Sequence, residues 1–221
     1  MVAKLDIETA VAVDNFAELH ERLGGVPLDR IGMDPPPGTA TEADLLRHLD
    51  GEPKRIFELI DGTLVEKAVG AHESLLASSI IQRIRNFIEP IDLGFVTGAD
   101  GPYRMLRGNV RYPDVSYVPW SAVPDGELPD EAIWSIVPAL AIEVLSRSNT
   151  KREIARKIDE LFQAGTQLVW VIEPETRDGV AYETDGTKTN IGPHEAFDGG
   201  TVLPGFRLHL AEVFATLKKR K

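Results

Sequence analysis

The 221-residue sequence contains no cysteine, which excludes disulfides, thiolate metal sites and a cysteine nucleophile. No apolar run approaches the roughly 18 residues that a membrane-spanning helix needs. The first six residues lack a basic region followed by an apolar core, so we expect no signal peptide. These absences favour a cytoplasmic protein that does not act in a membrane.

Two common catalytic motifs are also missing. The sequence has no glycine-flanked serine of the kind that forms a nucleophile elbow, and it has no glycine-rich phosphate loop. Their absence disfavours hydrolases with a serine triad and nucleotide triphosphatases.

The net charge is −11, which argues against a protein that coats nucleic acid regardless of sequence, because neutralisation of phosphates drives such binding. Basic residues are nevertheless concentrated in two short stretches. Their members are Arg104, Arg107 and Arg111 in the first, and Arg147, Lys151, Arg152, Arg156 and Lys157 in the second. Each stretch is either a solvated face or part of a functional site.

A chain of this length forms one domain, or one domain with a small appendage. Residues 1–40 are weakly patterned, with a helix predicted over residues 13–25 and a proline-rich turn over residues 34–38. We therefore expect an N-terminal helical appendage at residues 1–40 that packs on a main domain at residues 41–221.

Residues 55–67 are predicted to form a β-hairpin, because their Asp-Gly pair favours a tight turn between short apolar strands. Glu58 in this hairpin is a candidate site residue, although exposed carboxylates are common in hairpins. Residues 72–89 have the periodicity of an amphipathic helix that ends at Pro90. His72 lies in the first turn of that helix and is a secondary candidate.

The most informative stretch is residues 139–146, a continuous apolar run that is typical of a strand covered on both faces of a sheet. Glu143 interrupts this run. An unpaired carboxylate in such a place costs several kcal/mol, so we expect Glu143 to be protonated, paired or bound to a metal ion.

A second carboxylate lies in a strand predicted over residues 110–118. Alternation of side chains places Asp114 on a face that otherwise packs, and Pro113 before it predicts a bulge or a locally unpaired amide. On neighbouring strands, Asp114 and Glu143 would approach within a few ångströms of each other.

A helix predicted over residues 150–164 supplies two candidate cations. Lys157 lies on the margin of the apolar face of this helix, from which its side chain can extend back over the sheet. Lys151 lies on the inner side of the first turn and is the competing candidate.

Two neighbouring carboxylates resist joint ionisation unless a cation lies between them. Carboxylate oxygens suit Mg²⁺ or Mn²⁺, and the backbone carbonyl of Val144 is a further candidate ligand. Such an ion polarises a phosphoryl oxygen and lowers the pKa of the attacking water. A nearby lysine would orient that water or stabilise the charge that develops on phosphorus.

An ordered set of motifs carries a family resemblance. Its members are Phe57-Glu58-Leu59-Ile60-Asp61-Gly62-Thr63-Leu64-Val65-Glu66, Pro113-Asp114-Val115, Ile142-Glu143-Val144-Leu145-Ser146, Lys157, Ala164-Gly165 and Val169-Trp170-Val171-Ile172-Glu173-Pro174. Over roughly residues 41–215 the sequence resembles the Uma-type (Uma-two) restriction endonuclease family of the PD-(D/E)XK nuclease superfamily. The resemblance implies a restriction-endonuclease-like core with a metal-dependent DNA nuclease site at Asp114 and Glu143.

The resemblance also assigns a lysine. In the superfamily pattern the lysine lies two residues after the second acid, where this sequence has Leu145. The resemblance implies that this lysine has moved to the next helix, where Lys157 lies. Glu58 matches the hairpin glutamate of the family and is implied as an additional ligand.

These patterns predict an α/β fold with a restriction-endonuclease-like core, a mixed central sheet flanked by helices, and an N-terminal hairpin and helical appendage. The predicted function is a Mg²⁺- or Mn²⁺-dependent endonuclease that hydrolyses DNA phosphodiester bonds. One alternative is a catalytically inactive nuclease-fold module that binds nucleic acid or protein. Another is a metal-dependent hydrolase of a small phosphorylated substrate. DNA is the expected partner, and a homodimer is left open.

Overall fold

The computed structural model of the protein describes residues 15–68 and 70–218. Within these residues the chain forms five α-helices and twelve β-strands. The helices are α1 (Phe16–Arg22), α2 (Glu42–Leu49), α3 (Ala71–Ile88), α4 (Lys151–Ala164) and α5 (Leu210–Ala215). The helix predicted over residues 13–25 is present as α1, and positions 13 and 14 of that prediction lie outside the described residues. In the described part of the chain, no helix is both long and apolar enough to cross a bilayer.

Most of the strands belong to two sheets. The strands are β1 (Phe57–Ile60), β2 (Thr63–Glu66), β3 (Gly94–Gly98), β4 (Tyr103–Leu106), β5 (Asn109–Arg111), β6 (Val115–Pro119), β7 (Leu140–Val144), β8 (Leu168–Glu173), β9 (Asp178–Glu183), β10 (Lys188–Ile191), β11 (Ala196–Asp198) and β12 (Arg207–His209). A central sheet has the order β10–β9–β8–β7–β6–β3, and a smaller one has the order β2–β1–β5–β4. Strands β11 and β12 form a separate pair.

The central sheet is mixed, as predicted. Strands β7 and β8 run parallel, while the other neighbours in the sheet run antiparallel. Helices α3 and α5 pack on one face through residues such as Ile80 and Val213, and α4 packs on the other through Ile154 and Ile158. Strand β7 is buried along its whole length because it is covered on both faces, which confirms the interpretation of its apolar run.

The predicted hairpin is confirmed as β1 and β2. Asp61 and Gly62 at its turn both have positive φ, 47° and 69°, as a tight two-residue turn requires. The chain preceding α2 continues this sheet. The Gly32 amide donates to the Leu64 carbonyl at 2.7 Å, and the Ala40 amide donates to the Gly62 carbonyl at 2.7 Å. The division into an appendage at residues 1–40 and a main domain stays a prediction.

The prediction of a single strand over residues 110–118 is wrong. The chain instead forms β5 in the smaller sheet and β6 in the central sheet, with a break at Tyr112, Pro113 and Asp114. Pro113 has no amide to donate, and the Tyr112 amide donates to Glu58 Oε1 at 3.2 Å rather than to a strand. Because both amides are unavailable for strand pairing, the chain can pass here from one sheet to the other.

Helix α4 begins with a capping box at Thr150, whose hydroxyl accepts from the Glu153 amide at 3.0 Å. The same hydroxyl donates to the Gly24 carbonyl at 2.6 Å. Helix α2 has a matching box at Thr41 and Asp44, whose side chains make no such contact with a distant segment of the described chain. The Thr150 cap therefore fixes both the start of α4 and the chain that follows α1.

Thr150→Ala is expected to lower the free energy of unfolding by about 2 kcal/mol, since it removes a helix cap and a hydrogen bond worth about 1 kcal/mol each. Thr41→Ala, the matched control, removes a cap whose hydrogen bonds to Asp44 lie within the first turn of the helix, and it should cost about 1 kcal/mol. Urea denaturation of both variants measures the difference. An equal or smaller loss for Thr150→Ala would show that the contact with Gly24 contributes nothing.

Candidate functional site

The candidate site lies where the two sheets and α4 meet. A cavity of about 20 Å³ is present there, lined by Arg30, Glu58, Lys67, Ala68, Asp114, Glu143, Val144, Asn149, Glu153, Ile154 and Lys157. The space holds about one water molecule or ion. The structure therefore brings together the predicted residues Glu58, Asp114, Glu143, Val144 and Lys157.

Strand pairing places the two acids beside each other. Val115 on β6 lies opposite Ile142 on β7, so the same register extended by one residue puts Asp114 opposite Glu143. The Val144 amide donates to Asp114 Oδ2 at 2.7 Å, which orients the Asp114 carboxylate toward β7. The break before β6 thus leaves Asp114 free of strand pairing but fixed against the strand that carries Glu143.

Each of these acids has a lysine partner. Lys157 Nζ lies 2.8 Å from Glu143 Oε2 and 2.9 Å from Glu58 Oε1. Lys67 Nζ lies 2.9 Å from Asp114 Oδ1 and donates to the Tyr112 carbonyl at 2.6 Å. Both lysines are buried. The predicted lysine of the helix therefore contacts the second acid, and an unpredicted lysine of the hairpin contacts the first.

The sequence analysis missed Lys67, although the hairpin register contained a signal for it. Glu58 on β1 is paired with Val65 on β2, so these two side chains lie on one face of the hairpin. Lys67 follows Val65 by two residues and extends along the same face. A basic residue on the face of Glu58 could therefore have been named as a candidate from the hairpin alone.

Glu58 is held by cations on two sides. Its Oε2 lies 2.8 Å from Arg111 Nη1, and Arg111 Nη2 lies 2.7 Å from Glu160 Oε2 on α4. Burial alone would raise the pKa of Glu58, but Lys157 and Arg111 outweigh it and hold that pKa well below its usual range. Glu58 is therefore ionised at neutral pH, and Arg111 of the first basic stretch is its buried partner rather than a solvated residue.

Glu143 is in a different electrostatic situation. Burial raises the pKa of its carboxyl group to about 7, although Lys157 acts in the opposite direction, and the charge of Asp114 raises the pKa further. Its Oε1 is buried and has no hydrogen-bond partner among the described residues. An acceptor oxygen without a partner in a cavity of this size is available to a water molecule or a cation.

The oxygen donors around the cavity fit a hard cation such as Mg²⁺. In residues 15–68 and 70–218 there is no group of three or more His, Cys, Asp or Glu that could hold a metal ion. The available set is Asp114, Glu143 and the Val144 backbone. Mg²⁺ is commonly bound by one or two carboxylates with water and substrate phosphate, so two carboxylates suffice for it, whereas Zn²⁺ and Ca²⁺ take more protein ligands.

Neither secondary candidate lines this cavity. His72 is exposed in the first turn of α3. Lys151 is exposed at the start of α4 and lines a separate groove of about 660 Å³ between α4 and the β9–β10 hairpin. That groove is much larger, but none of the five predicted site residues that meet at the small cavity lines it.

Comparison with known proteins agrees with this architecture. A crystal structure titled "putative nuclease belonging to DUF820", from Anabaena variabilis ATCC 29413, has a TM-score of 0.69 to this chain with 21% sequence identity. The match covers 80% of this chain and 99% of that one, and at this identity it shows a shared fold. No curated protein matches the chain.

The sequence itself matches one family. The model of the Uma2 family, described as "Putative restriction endonuclease", matches residues 43–211. The match includes Glu58, Asp114, Glu143 and Lys157 and begins after the N-terminal segment, as the resemblance of the motifs predicted. Since this match spans more than half of the 221 residues, the chain belongs to the Uma2 family.

Proposed function

We propose that this protein is an endonuclease that hydrolyses DNA phosphodiester bonds with the help of Mg²⁺ or Mn²⁺. The observation that carries the proposal is that Asp114, Glu143 and Lys157 line one cavity, where Glu143 Oε1 is buried and has no hydrogen-bond partner in the part of the chain that the structure describes. Membership in a family described as "Putative restriction endonuclease" supports the same proposal.

Asp114, Glu143 and the Val144 carbonyl would hold the metal ion. A bound ion of this kind polarises a phosphoryl oxygen and lowers the pKa of an attacking water molecule. Lys67 is a positioning residue in this proposal. It fixes the Asp114 carboxylate from one side while the Val144 amide fixes it from the other.

Lys157 would supply a fixed positive charge rather than a base. Burial alone would lower the pKa of its ammonium group, but Glu143 and Glu58 outweigh burial and hold that pKa above its usual range. Lys157 therefore stays protonated at neutral pH. A cation held in place by two carboxylates can stabilise charge that develops on a phosphate without reorganisation, and such stabilisation is usually the largest single contribution to catalysis.

A catalytically inactive module that binds nucleic acid or protein is the second candidate. The observation that favours it is that Asp114 and Glu143 each already have a lysine partner, so the cavity is largely neutralised without a metal ion. Metal binding separates the two candidates.

Asp114→Asn is expected to weaken Mn²⁺ binding on the order of 100-fold, because even residues behind the ligands contribute 10- to 100-fold in metal affinity. Isothermal titration of Mn²⁺ into the wild type and the variant measures the effect. Asp159→Asn, an exposed acid on α4, is the matched control and should bind as the wild type does. Absence of Mn²⁺ binding to the wild type, or equal binding to both proteins, would favour the inactive module.

Lys157→Met is expected to slow plasmid nicking in Mn²⁺ by about 100- to 1,000-fold, the usual effect of removing one group that stabilises transition-state charge. Lys151→Met, on the same helix, should leave the rate nearly unchanged because Lys151 does not line the cavity. Thermal melts of both variants distinguish lost chemistry from lost folding. A large effect of Lys151→Met in a folded protein would reverse the assignment of the lysine.

Metal binding is expected to depend on pH through Glu143. Because the pKa of its carboxyl group is raised to about 7, Mn²⁺ must displace a proton at pH 6 but finds the carboxylate already ionised at pH 8. Affinity should therefore rise about tenfold from pH 6 to pH 8, with about one proton released per ion at pH 6. Titrations in two buffers of different ionisation enthalpy measure this release. Equal proton release at both pH values would contradict the assignment.

A further inference from the structure

One wall of the cavity comes from the N-terminal segment. Arg30 forms a two-pronged ion pair with Glu153 of α4, with Nη2 at 2.7 Å from Oε1 and Nη1 at 3.1 Å from Oε2. Its Nε donates to the Glu66 carbonyl at 2.7 Å, and Nη1 also approaches the Ser148 carbonyl at 3.3 Å. Arg30 thereby connects the end of β2 with the start of α4 across the cavity.

Arg30 and Asp114 mark the mouth of the cavity. The exposed fraction of the side chain is 11% for Arg30 and 15% for Asp114, but only 5–6% for Lys157 and Glu143. A cavity of about 20 Å³ holds about one water molecule, so a phosphodiester group cannot enter it as it stands. The wall at the mouth must therefore open before a phosphate can reach the two acids.

Of the cations that line the cavity, Arg30 can exchange its partner with the least disturbance of the proposed metal ligands. Three cations line the cavity: Arg30, Lys67 and Lys157. Lys67 is paired with Asp114 and Lys157 with Glu143, the two candidate metal ligands. Arg30 is paired with Glu153, which takes no part in the proposed chemistry.

The guanidinium fork of arginine matches a phosphate as well as a carboxylate, so either group can accept the same two hydrogen bonds. The cavity also needs such a cation. Glu58, Asp114, Glu143 and Glu153 line it together with the three cations, and each acid is paired with one of them, so an entering phosphate must take its cation from one of these acids.

We propose that Arg30 is the phosphate-binding residue of this site, stored on Glu153 in the free protein and transferred to a phosphate oxygen when the mouth opens. The identity of that phosphate as a DNA phosphodiester rests on the proposed function; the transfer from carboxylate to phosphate does not. Arg30 lies before the family match at residues 43–211, in the N-terminal segment.

The test uses inorganic phosphate and the full-length protein, without added metal. A ligand that binds the folded state raises the melting temperature, and the rise grows with affinity. Arg30→Met should abolish the phosphate-induced rise, and Arg30→Lys should retain part of it. Glu153→Gln should increase the rise at the same phosphate concentration, because the competing carboxylate is gone. Both variants lose the ion pair, and Arg30→Met also loses the hydrogen bonds to the Glu66 and Ser148 carbonyls, so the rise is measured for each variant from its own melting temperature in plain buffer.

Arg55 and Glu66 provide a matched control pair. They form a similar two-pronged ion pair, with 3.1 Å from Nε to Oε1 and 2.5 Å from Nη2 to Oε2, and neither residue lines the cavity. Arg55→Met and Glu66→Gln should leave the phosphate-induced rise unchanged. If the Arg55 and Glu66 variants change the phosphate-induced rise in melting temperature as much as the Arg30 and Glu153 variants do, the proposal is overturned.

Opposite effects of Arg30→Met and Glu153→Gln on the phosphate-induced rise support the proposal. If both variants leave the rise unchanged, or both reduce it, Arg30 has a structural role only and the proposal is overturned.

Plasmid cleavage in Mn²⁺ gives the second measurement. Arg30→Met should raise KM for the plasmid about tenfold or more, the usual effect of one lost hydrogen-bonding charge, and Glu153→Gln should lower it. If the wild type cleaves no DNA while the phosphate results hold, the proposed function fails and the role of Arg30 stands.

Discussion

The burial of Glu143 inside the central sheet is the constraint on which the site depends. Its charge is balanced by Lys157, which is shared with Glu58, and Glu58 is shared in turn with Arg111. Arg111 also forms an ion pair with Glu160 of α4. This series of ion pairs therefore joins the smaller sheet, the central sheet and α4. Removing one member of a buried pair costs about 3–5 kcal/mol, so the three elements are held in one arrangement. The interactions that hold the fold together here are also the ones that shape the site.

The break in the chain between the two sheets places the remaining groups. Because Pro113 cannot donate a hydrogen bond, the backbone leaves the smaller sheet after β5 and enters the central sheet at β6. The carbonyl of Tyr112, left without a strand partner at the break, accepts from Lys67 at 2.6 Å and from Lys157 at 3.4 Å. Asp114 then meets the Val144 amide. A feature that weakens strand pairing thus brings both lysines and both acids to one point.

The residues that line the cavity come from two parts of the chain. The family match includes Glu58, Asp114, Glu143 and Lys157 of the cavity lining, whereas Arg30 lies before it. The N-terminal segment is nevertheless integrated with the hairpin and α4, through the hydrogen bond from Thr150 to Gly24 and an apolar cluster formed by Leu19, Leu23, Val26, Ile31, Ile60 and Val65. One residue that lines the cavity, Arg30, therefore comes from a part of the chain that lies before the family match.

Short-range patterns in the sequence determined much of this structure. The Asp-Gly turn gave the hairpin, the threonine cap and Gly165 bounded α4, and the apolar run around Glu143 identified the central strand, because each depends on residues a few positions apart. The tertiary structure decided the rest. Alternation could not show that Pro113 sends the chain into another sheet. Lys67 and Arg30 meet their ion-pair partners, Asp114 and Glu153, only because segments far apart in the chain pack together. Whether Lys151 or Lys157 faced the acids depended on how α4 packs on the sheet. Local propensity fixes where an element begins and ends, but only packing determines which distant charges it must neutralise.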